Sequence, residues 1–200
     1  RAYAELFTRG ADRRPDDLAR AMSGIGRESE RMSVLVDDLL LLARLDEGRP
    51  LERQRLDLGQ VVAEAVETAR TVEPDRPIDV DLAPAPVLGD RDRLRQVIDN
   101  LLSNARSHTP PRSPVHVGVG RENGSVVLEV ADSGPGMDSE QVAKVFERFY
   151  RADASRARAS GGVGLGLSIV AAVAEAHGGT ADASAAPGAG ATFRVTLPLD

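Results

Sequence analysis

Over residues 18–43, apolar or small side chains recur alternately four and three positions apart, at Leu18, Met22, Ile25, Ser29, Met32, Val36, Leu39 and Ala43. Such a heptad seam predicts a long helix that needs a partner. Pro15 suits the first helical position, Asp16 and Asp17 lie where the helix dipole favours negative charge, and Gly48 with Pro50 ends the run. The expected length is about 33 residues, or ~50 Å. A second stripe through Leu35, Leu41 and Leu42 widens the apolar face, so a bundle is expected rather than an isolated two-stranded coil. Upstream, Tyr3, Leu6 and Phe7 form a short amphipathic piece ending at Gly10. Residues 1–48 thus read as a helical hairpin whose first arm is truncated, and the chain, beginning without methionine, reads as cut from something longer.

Beyond Pro50 the pattern changes, with residues 49–57 reading as a linker and 58–200 as a second domain. Asp57 and Gln60 give a capping-box signal ahead of a helical face of Val61, Val62, Ala65, Val66 and Ala69. Ile78, Val80 and Leu82 alternate with Asp79 and Asp81 as a strand does, and a proline-rich turn follows. Asp90 suits the N-cap of a helix to about residue 107, with Leu94, Val97, Ile98, Leu101, Leu102 and Ala105 on its apolar side. Val115, Val117 and Val119, then Val126, Leu128 and Val130, flank Glu122-Asn123-Gly124 as a β-hairpin. A loop rich in glycine and arginine spans 132–164, interrupted by a short helix at 139–147, and a helix follows over 165–177. Ala191, Phe193, Val195, Leu197 and Leu199 alternate as a last strand. Helices and strands intermixed in this way predict an α+β domain, a two-layer α/β sandwich.

Composition removes several function classes. Cysteine is absent, which excludes disulfides, thiolate nucleophiles and cysteine-bound metals. The histidines His108, His116 and His177 have no clustered carboxylates beside them, so no metal site is expected there. The net charge of -6 argues against general nucleic-acid binding, so phosphate would need a local basic patch. No apolar run reaches the ~18 residues of a membrane span, and the first residues lack a signal-peptide layout. All but one of the 25 basic residues are arginine, the exception being Lys144, a bias that points to coding composition. With aromatics at 3%, the core must be aliphatic.

Three segments could carry chemistry. Gln96, Asn100, Asn104 and His108 fall four apart and line one helix face. An asparagine there can offer a carbonyl-type oxygen to Mg²⁺ and an amide to phosphate without adding negative charge, although the same spacing also fits a plain solvent face. Asp132-Ser133-Gly134-Pro135-Gly136-Met137 follows a strand, and a carboxylate at a strand end can accept from the exocyclic amine of adenine while refusing guanine; ordinary turn chemistry is the rival reading. Gly161-Gly162-Val163-Gly164-Leu165-Gly166-Leu167-Ser168 opens a helix, where backbone N–H groups attract anions, yet it matches neither the P-loop nor the dinucleotide fingerprint and also fits a hinge. Just before it, Arg148, Arg151, Arg156 and Arg158 make a basic stretch suited to covering a triphosphate, and Phe146 and Phe149 read as a plug holding that stretch to the core.

In order, these segments resemble the boxes of the sensor histidine kinases, in the GHKL-type superfamily with the Bergerat ATP-binding fold. Residues 94–105 resemble the asparagine box, 132–136 the first glycine box, 146–151 the phenylalanine box, 162–166 the second glycine box and 188–193 the last glycine turn. The resemblance implies a mixed sheet against three helices and Mg-ATP bound beside the asparagine helix, with Asn104 as Mg²⁺ ligand and Asn100 as phosphate contact. It further implies Asp132 as adenine reader, and nucleotide contacts from His108, Gly134, Gly136, Met137, Tyr150, Arg151, Gly162, Val163, Gly164, Leu165, Gly166, Leu167 and Thr192. Ser107 departs from the basic residue often found at its position. The hairpin resembles a dimerisation module that forms a homodimeric four-helix bundle and carries an acceptor histidine. That acceptor is expected upstream of Arg1, since none of the three histidines suits the role.

The implied function is ATP-dependent autophosphorylation of a histidine in the intact protein, then transfer to an aspartate on a response-regulator receiver domain. This chain alone would lack the acceptor, and membrane attachment would come only through segments outside it. The rival readings are a superfamily ATPase or anti-sigma serine kinase, in which a glutamate typically stands where Asn100 is, and a nucleotide-responsive dimer module without kinase activity. Asparagine cannot act as that general base, so water should be a poor acceptor.

Overall fold

The computed structural model describes residues 15–151 and 163–200, in two compact units, residues 1–44 and 45–200. Helix α1 (Pro15–Asp46) supplies the described part of the first unit, with Asp16 and Asp17 in its first turn and Arg44 in its last. Gly48, at φ +68, takes the left-handed conformation that ends the helix, and its N–H bonds the Leu45 carbonyl. Ala21, Leu41 and Leu42 are buried, whereas the seam residues Met22, Ile25, Met32, Val36 and Leu39 are exposed, Met22 at 59% and Met32 at 63%.

The second unit contains β1 (Gln54–Asp57), α2 (Leu58–Val72), β2 (Ile78–Leu82), β3 (Pro86–Gly89), α3 (Arg91–His108), β4 (Val115–Glu122), β5 (Ser125–Asp132), α4 (Ser139–Lys144), α5 (Gly166–Ala176), β6 (Thr180–Ala185) and β7 (Ala191–Pro198). A five-stranded sheet runs β2-β4-β5-β7-β6, with β2 parallel to β4 and the other neighbours antiparallel. Helices α2, α3 and α5 supply the second layer, which makes the expected α+β sandwich of a mixed sheet and three helices. Every expected apolar position of α3 is buried, as are Val115, Val117, Val119, Val126, Leu128 and Val130 of the hairpin. Asn123 (φ 49) and Gly124 (φ 80) close that hairpin as a two-residue turn with positive φ at both positions, the geometry its Asn-Gly pair favours.

Three strands lie where the sequence pattern showed none. β1 falls within the expected linker and pairs antiparallel with β3, which begins in the proline-rich turn. β6 is an edge strand of small residues. The capping box expected at Asp57 takes another form: its carboxylate accepts the N–H of Gly59 at 3.0 Å and that of Ala85 at 2.9 Å, tying α2 to the start of β3. The reciprocal box occurs instead at Asp138 and Gln141, opening α4. Asp90 caps α3 as expected, accepting from Arg93 at 3.1 Å. Its own N–H donates to His177 Nε2 at 3.0 Å, while His177 Nδ1 lies 2.7 Å from the Val173 carbonyl. The ring is therefore the neutral Nδ1–H tautomer. Burial holds its pKa below the ordinary value and Arg53 adds to this, against the opposing pull of the Val173 bond and Asp90.

Candidate nucleotide-binding site

Helix α3 carries Gln96, Asn100, Asn104 and His108 along one face, with Asn100 and Asn104 half-buried. Asn100 donates from Nδ2 to the Gly166 carbonyl at 3.2 Å, bringing the middle of α3 to the N-terminus of α5. The approach does not require glycine, since a Cβ on Gly166 would meet the Asn100 amide at 3.6 Å, an ordinary van der Waals contact. Leu165 is the N-cap of α5, and among the described residues no side chain caps that end. Its first N–H groups therefore remain suited to an anion. Ser168, buried, donates to the Leu165 carbonyl at 2.8 Å, while Leu167 and Val163 are half-buried.

At the other end of α3, the His108 imidazole feels both Asp132 and Arg151. Desolvation pushes its pKa down, Asp132 pulls it up and Arg151 pushes it down again. The His108 carbonyl also lies beside the Gly134 turn, 3.3 Å from where a Cβ on Gly134 would stand. Asp132 Oδ1 accepts the Gly134 N–H at 2.8 Å, which fixes the carboxylate at the strand end. Gly136 has φ +69, and a Cβ there would collide with the Ala186 carbonyl; one on Gly190, at φ +77, would collide with the carbonyl of Asp132 itself. Pro135 accepts from Gly188 N–H at 2.7 Å, so the 188–190 turn backs the Asp132 turn. Met137 is half-buried beside it in sequence.

The phenylalanine segment divides. Phe146 meets Phe193 edge to face, centroids 6.4 Å apart, and is the expected plug. Phe149 is not: it is 56% exposed, at φ 63, a strained setting for a bulky residue. Its N–H bonds the Gly164 carbonyl at 2.9 Å, and Gly164 (φ +83) admits this contact because a Cβ would stand 2.7 Å from the Tyr150 carbonyl. Arg148 is committed to Asp46 at 2.7 Å, each raising the other's preference for its charged form. Arg151 is exposed and Tyr150 half-buried. Gly162, Gly161, Arg156 and Arg158 lie outside the described residues.

Thr192 lies on the other face of β7 from Ala191. The pleat of β7 buries Ala191, Phe193, Val195 and Leu197 on the helix side, which turns Thr192 to the opposite face beside Ala131. Ala191 is the register partner of Asp132. Of the histidines, His177 is buried with both ring nitrogens engaged, which excludes it as a phosphoacceptor in this structure. Sequence reasoning also passed over Arg76, which is buried and bonds Thr109 beside the Asp132 turn.

For Mg²⁺, a hard cation that keeps waters and takes few protein oxygens beside phosphate, the Asn104 carboxamide is a suitable donor. Among the described residues no cluster of three His, Asp or Glu could hold a metal without the phosphates. Also among them, no helix is long and apolar enough to cross a membrane.

Comparisons with known proteins agree with this geometry. Residues 89–200 match the family described as histidine kinase-, DNA gyrase B-, and HSP90-like ATPase. The probable sensor histidine kinase TcrY of Mycobacterium tuberculosis is 48% identical over 202 residues, covering 100% of this chain and 42% of TcrY. The sensor histidine kinase TrcS of the same organism is 40% identical over 78% of this chain and 32% of its own length. The chain thus spans less than half of these relatives. Among solved structures, the mycobacterial sensor histidine kinase MprB superposes with a TM-score of 0.66 at 31% identity, over 74% of this chain and 97% of that one. The chain belongs to the histidine kinase-, gyrase B- and HSP90-like ATPases, and within them it is an ATP-binding catalytic part of a sensor histidine kinase.

Proposed function

We propose that this chain binds Mg-ATP between α3 and the α5 N-terminus and, in the intact protein, phosphorylates a histidine that passes the phosphoryl group to an aspartate of a response-regulator receiver domain. The observation that carries the reading is that the end of α3, through the His108 carbonyl and Thr109, lies against the Gly134 turn that orients Asp132, while Asn100 bonds Gly166 at the middle of the same helix. Asp132 accepts from the adenine amine. Asn100 and the first N–H groups of α5 face the phosphates, Asn104 supplies the Mg²⁺ oxygen, and Gly134, Gly136 and Gly164 let backbone approach the nucleotide. Bound there, Mg²⁺ would neutralise charge on the phosphate oxygens.

Asn100 has no basic oxygen with which to take a proton from water, so the site preserves the γ-phosphoryl group for a better acceptor. The exposed seam of α1 supports a homodimer through the helices of residues 1–48, because Met22, Ile25, Met32, Val36 and Leu39 form an apolar stripe with coiled-coil spacing. Residues 49–57 would join this module to a catalytic domain over 58–200, and membrane attachment would come through other segments of the intact protein. No nucleic-acid partner is proposed.

The test is to incubate a chain extended upstream of Arg1 with Mg-ATP and examine the phosphate acquired. Acid-labile, base-stable phosphate on a histidine is expected. A chain that binds ATP but never gains it would instead be a nucleotide-responsive dimer module, and rapid ATP hydrolysis would favour an ATPase.

A further inference from the structure

Among the described residues the buried polar or charged ones are Arg76, Thr109, Ser168 and His177, and the first two bond each other. The Arg76 side chain is only 4% exposed. Its Nε and Nη2 lie on the two oxygens of Glu73, at 2.7 and 3.1 Å, and Nη1 donates to Thr109 Oγ1 at 2.7 Å and to the Ser113 carbonyl at 2.9 Å. A charge taken out of water persists only when its donors are satisfied in this way. The two residues it joins are the C-caps of α2 (Glu73) and α3 (Thr109), so one guanidinium fixes the ends of both helices.

Thr109 faces two ways. Its hydroxyl accepts from Arg76 and donates to the Ala105 carbonyl at 2.8 Å, which sets its rotamer. Its methyl then backs the adenine-reading turn: a Cβ on Gly134 would stand 2.9 Å from Thr109 Cγ2 and 3.3 Å from the His108 carbonyl. Gly134 in turn gives Asp132 its backbone hydrogen bond. On the far side, the same turn is closed by the Ala186 and Gly190 backbones.

We infer that Arg76 is a positioning residue for base recognition, acting through Thr109 and Gly134 to hold the Asp132 carboxylate where it reads adenine. The inference rests on the nucleotide reading above. Without the guanidinium, Thr109 is free to turn or withdraw, the Gly134 turn gains room on one side, and the carboxylate loses its fixed direction. A role confined to stability would lower the melting temperature while leaving the affinity and selectivity of the folded protein unchanged.

The experiment is calorimetric titration of Mg-ATP and Mg-GTP into the chain and into Arg76→Met, Arg76→Lys, Thr109→Val, Asp132→Asn and the Arg76→Met/Asp132→Asn double variant, all well below their melting temperatures. Arg76→Met should weaken ATP about tenfold and narrow the preference for ATP over GTP, while adding less than about twofold in the Asp132→Asn background, because what it positions is already lost. Arg76→Lys, which keeps the charge but not the planar fork, should recover part of the affinity. Thr109→Val keeps the shape and removes the hydroxyl, so it should weaken ATP in the same direction even if Arg76→Met does not fold. Folded variants that bind ATP like the parent, or the same fold loss in both Asp132 backgrounds, would overturn the inference. A parent chain that binds no ATP would overturn the nucleotide reading instead.

Discussion

The two ends of the nucleotide site are built differently. Around Asp132 the backbone is hemmed in on both sides, by Thr109 against Gly134 and by the carbonyls that leave no room for a Cβ on Gly136 or Gly190. At the α5 N-terminus Asn100 bonds the Gly166 carbonyl, Ser168 bonds the Leu165 carbonyl, Phe149 N–H bonds the Gly164 carbonyl, and Gly164 at φ +83 is set close against the Tyr150 carbonyl, yet Gly166 itself has room for a Cβ. The proposed base-reading turn is thus pre-formed in packed backbone, where misplacement is costly. The proposed phosphate end would rely on main-chain N–H groups and amides that ligand and metal complete.

This contrast predicts that the largest effects lie at the braced end. Gly136→Ala and Gly190→Ala each combine a positive φ with a collision against a carbonyl, so each should cost about 2–4 kcal/mol in urea denaturation and abolish ATP binding. Comparable losses at Gly166, where a Cβ meets only ordinary van der Waals contact at 3.6 Å, would break the contrast. At the open end, Asn104→Ala should leave ATP bound while shrinking the gain in affinity on going from EDTA to Mg²⁺ by about tenfold. An unchanged Mg²⁺ dependence would remove Asn104 from the metal.

A third prediction concerns the ends of α3 and α5 away from the nucleotide. His177 is held neutral, with its pKa depressed below the ordinary 6.5. The unfolded state therefore takes up the proton first as pH falls, so this contribution to stability is complete above 6.5 and is lost as pH falls through the folded value. His108, also depressed, acts with the same sign. The drop in urea midpoint from about pH 7.5 to about pH 5.5 should be larger in the parent than in His177→Asn. Equal drops would show that the buried ring does not carry the pH dependence. The smallest effect is expected at Phe149, where an exposed phenylalanine at φ 63 is strained: Phe149→Gly should be neutral or stabilising by up to about 1 kcal/mol.

Long elements were legible because their apolar periods are long. α3 buries every position its pattern named, and the Asn123-Gly124 turn dictates its hairpin. β1, β3 and β6 were not legible, for physical reasons. β1 and β3 have four residues each, too few to show a period, and are defined by each other's hydrogen bonds. β6, Thr-Ala-Asp-Ala-Ser-Ala, turns only alanines inward. Within the site, the glycines and asparagines stood out by type and spacing. At Thr192, sheet pleat decides a side chain's face by a single residue, and only the register with β5 sets Ala191 beside Asp132. Arg76 was invisible because arginine in a Pro-Asp-Arg-Pro turn reads as surface, and its burial comes from acceptors 33 and 37 residues away.

The central claim is that Asp132 reads the adenine amine, and comparing Mg-ATP and Mg-GTP affinity in the parent chain and in Asp132→Asn tests it most directly. Because the Gly134 N–H keeps an oxygen at Oδ1, the substituted amide must present NH₂ to the base, opposing the amine of adenine and suiting the carbonyl of guanine. ATP affinity should fall at least about tenfold and the preference for ATP over GTP should narrow or reverse. An ATP affinity that does not change, with the preference intact, would contradict the account.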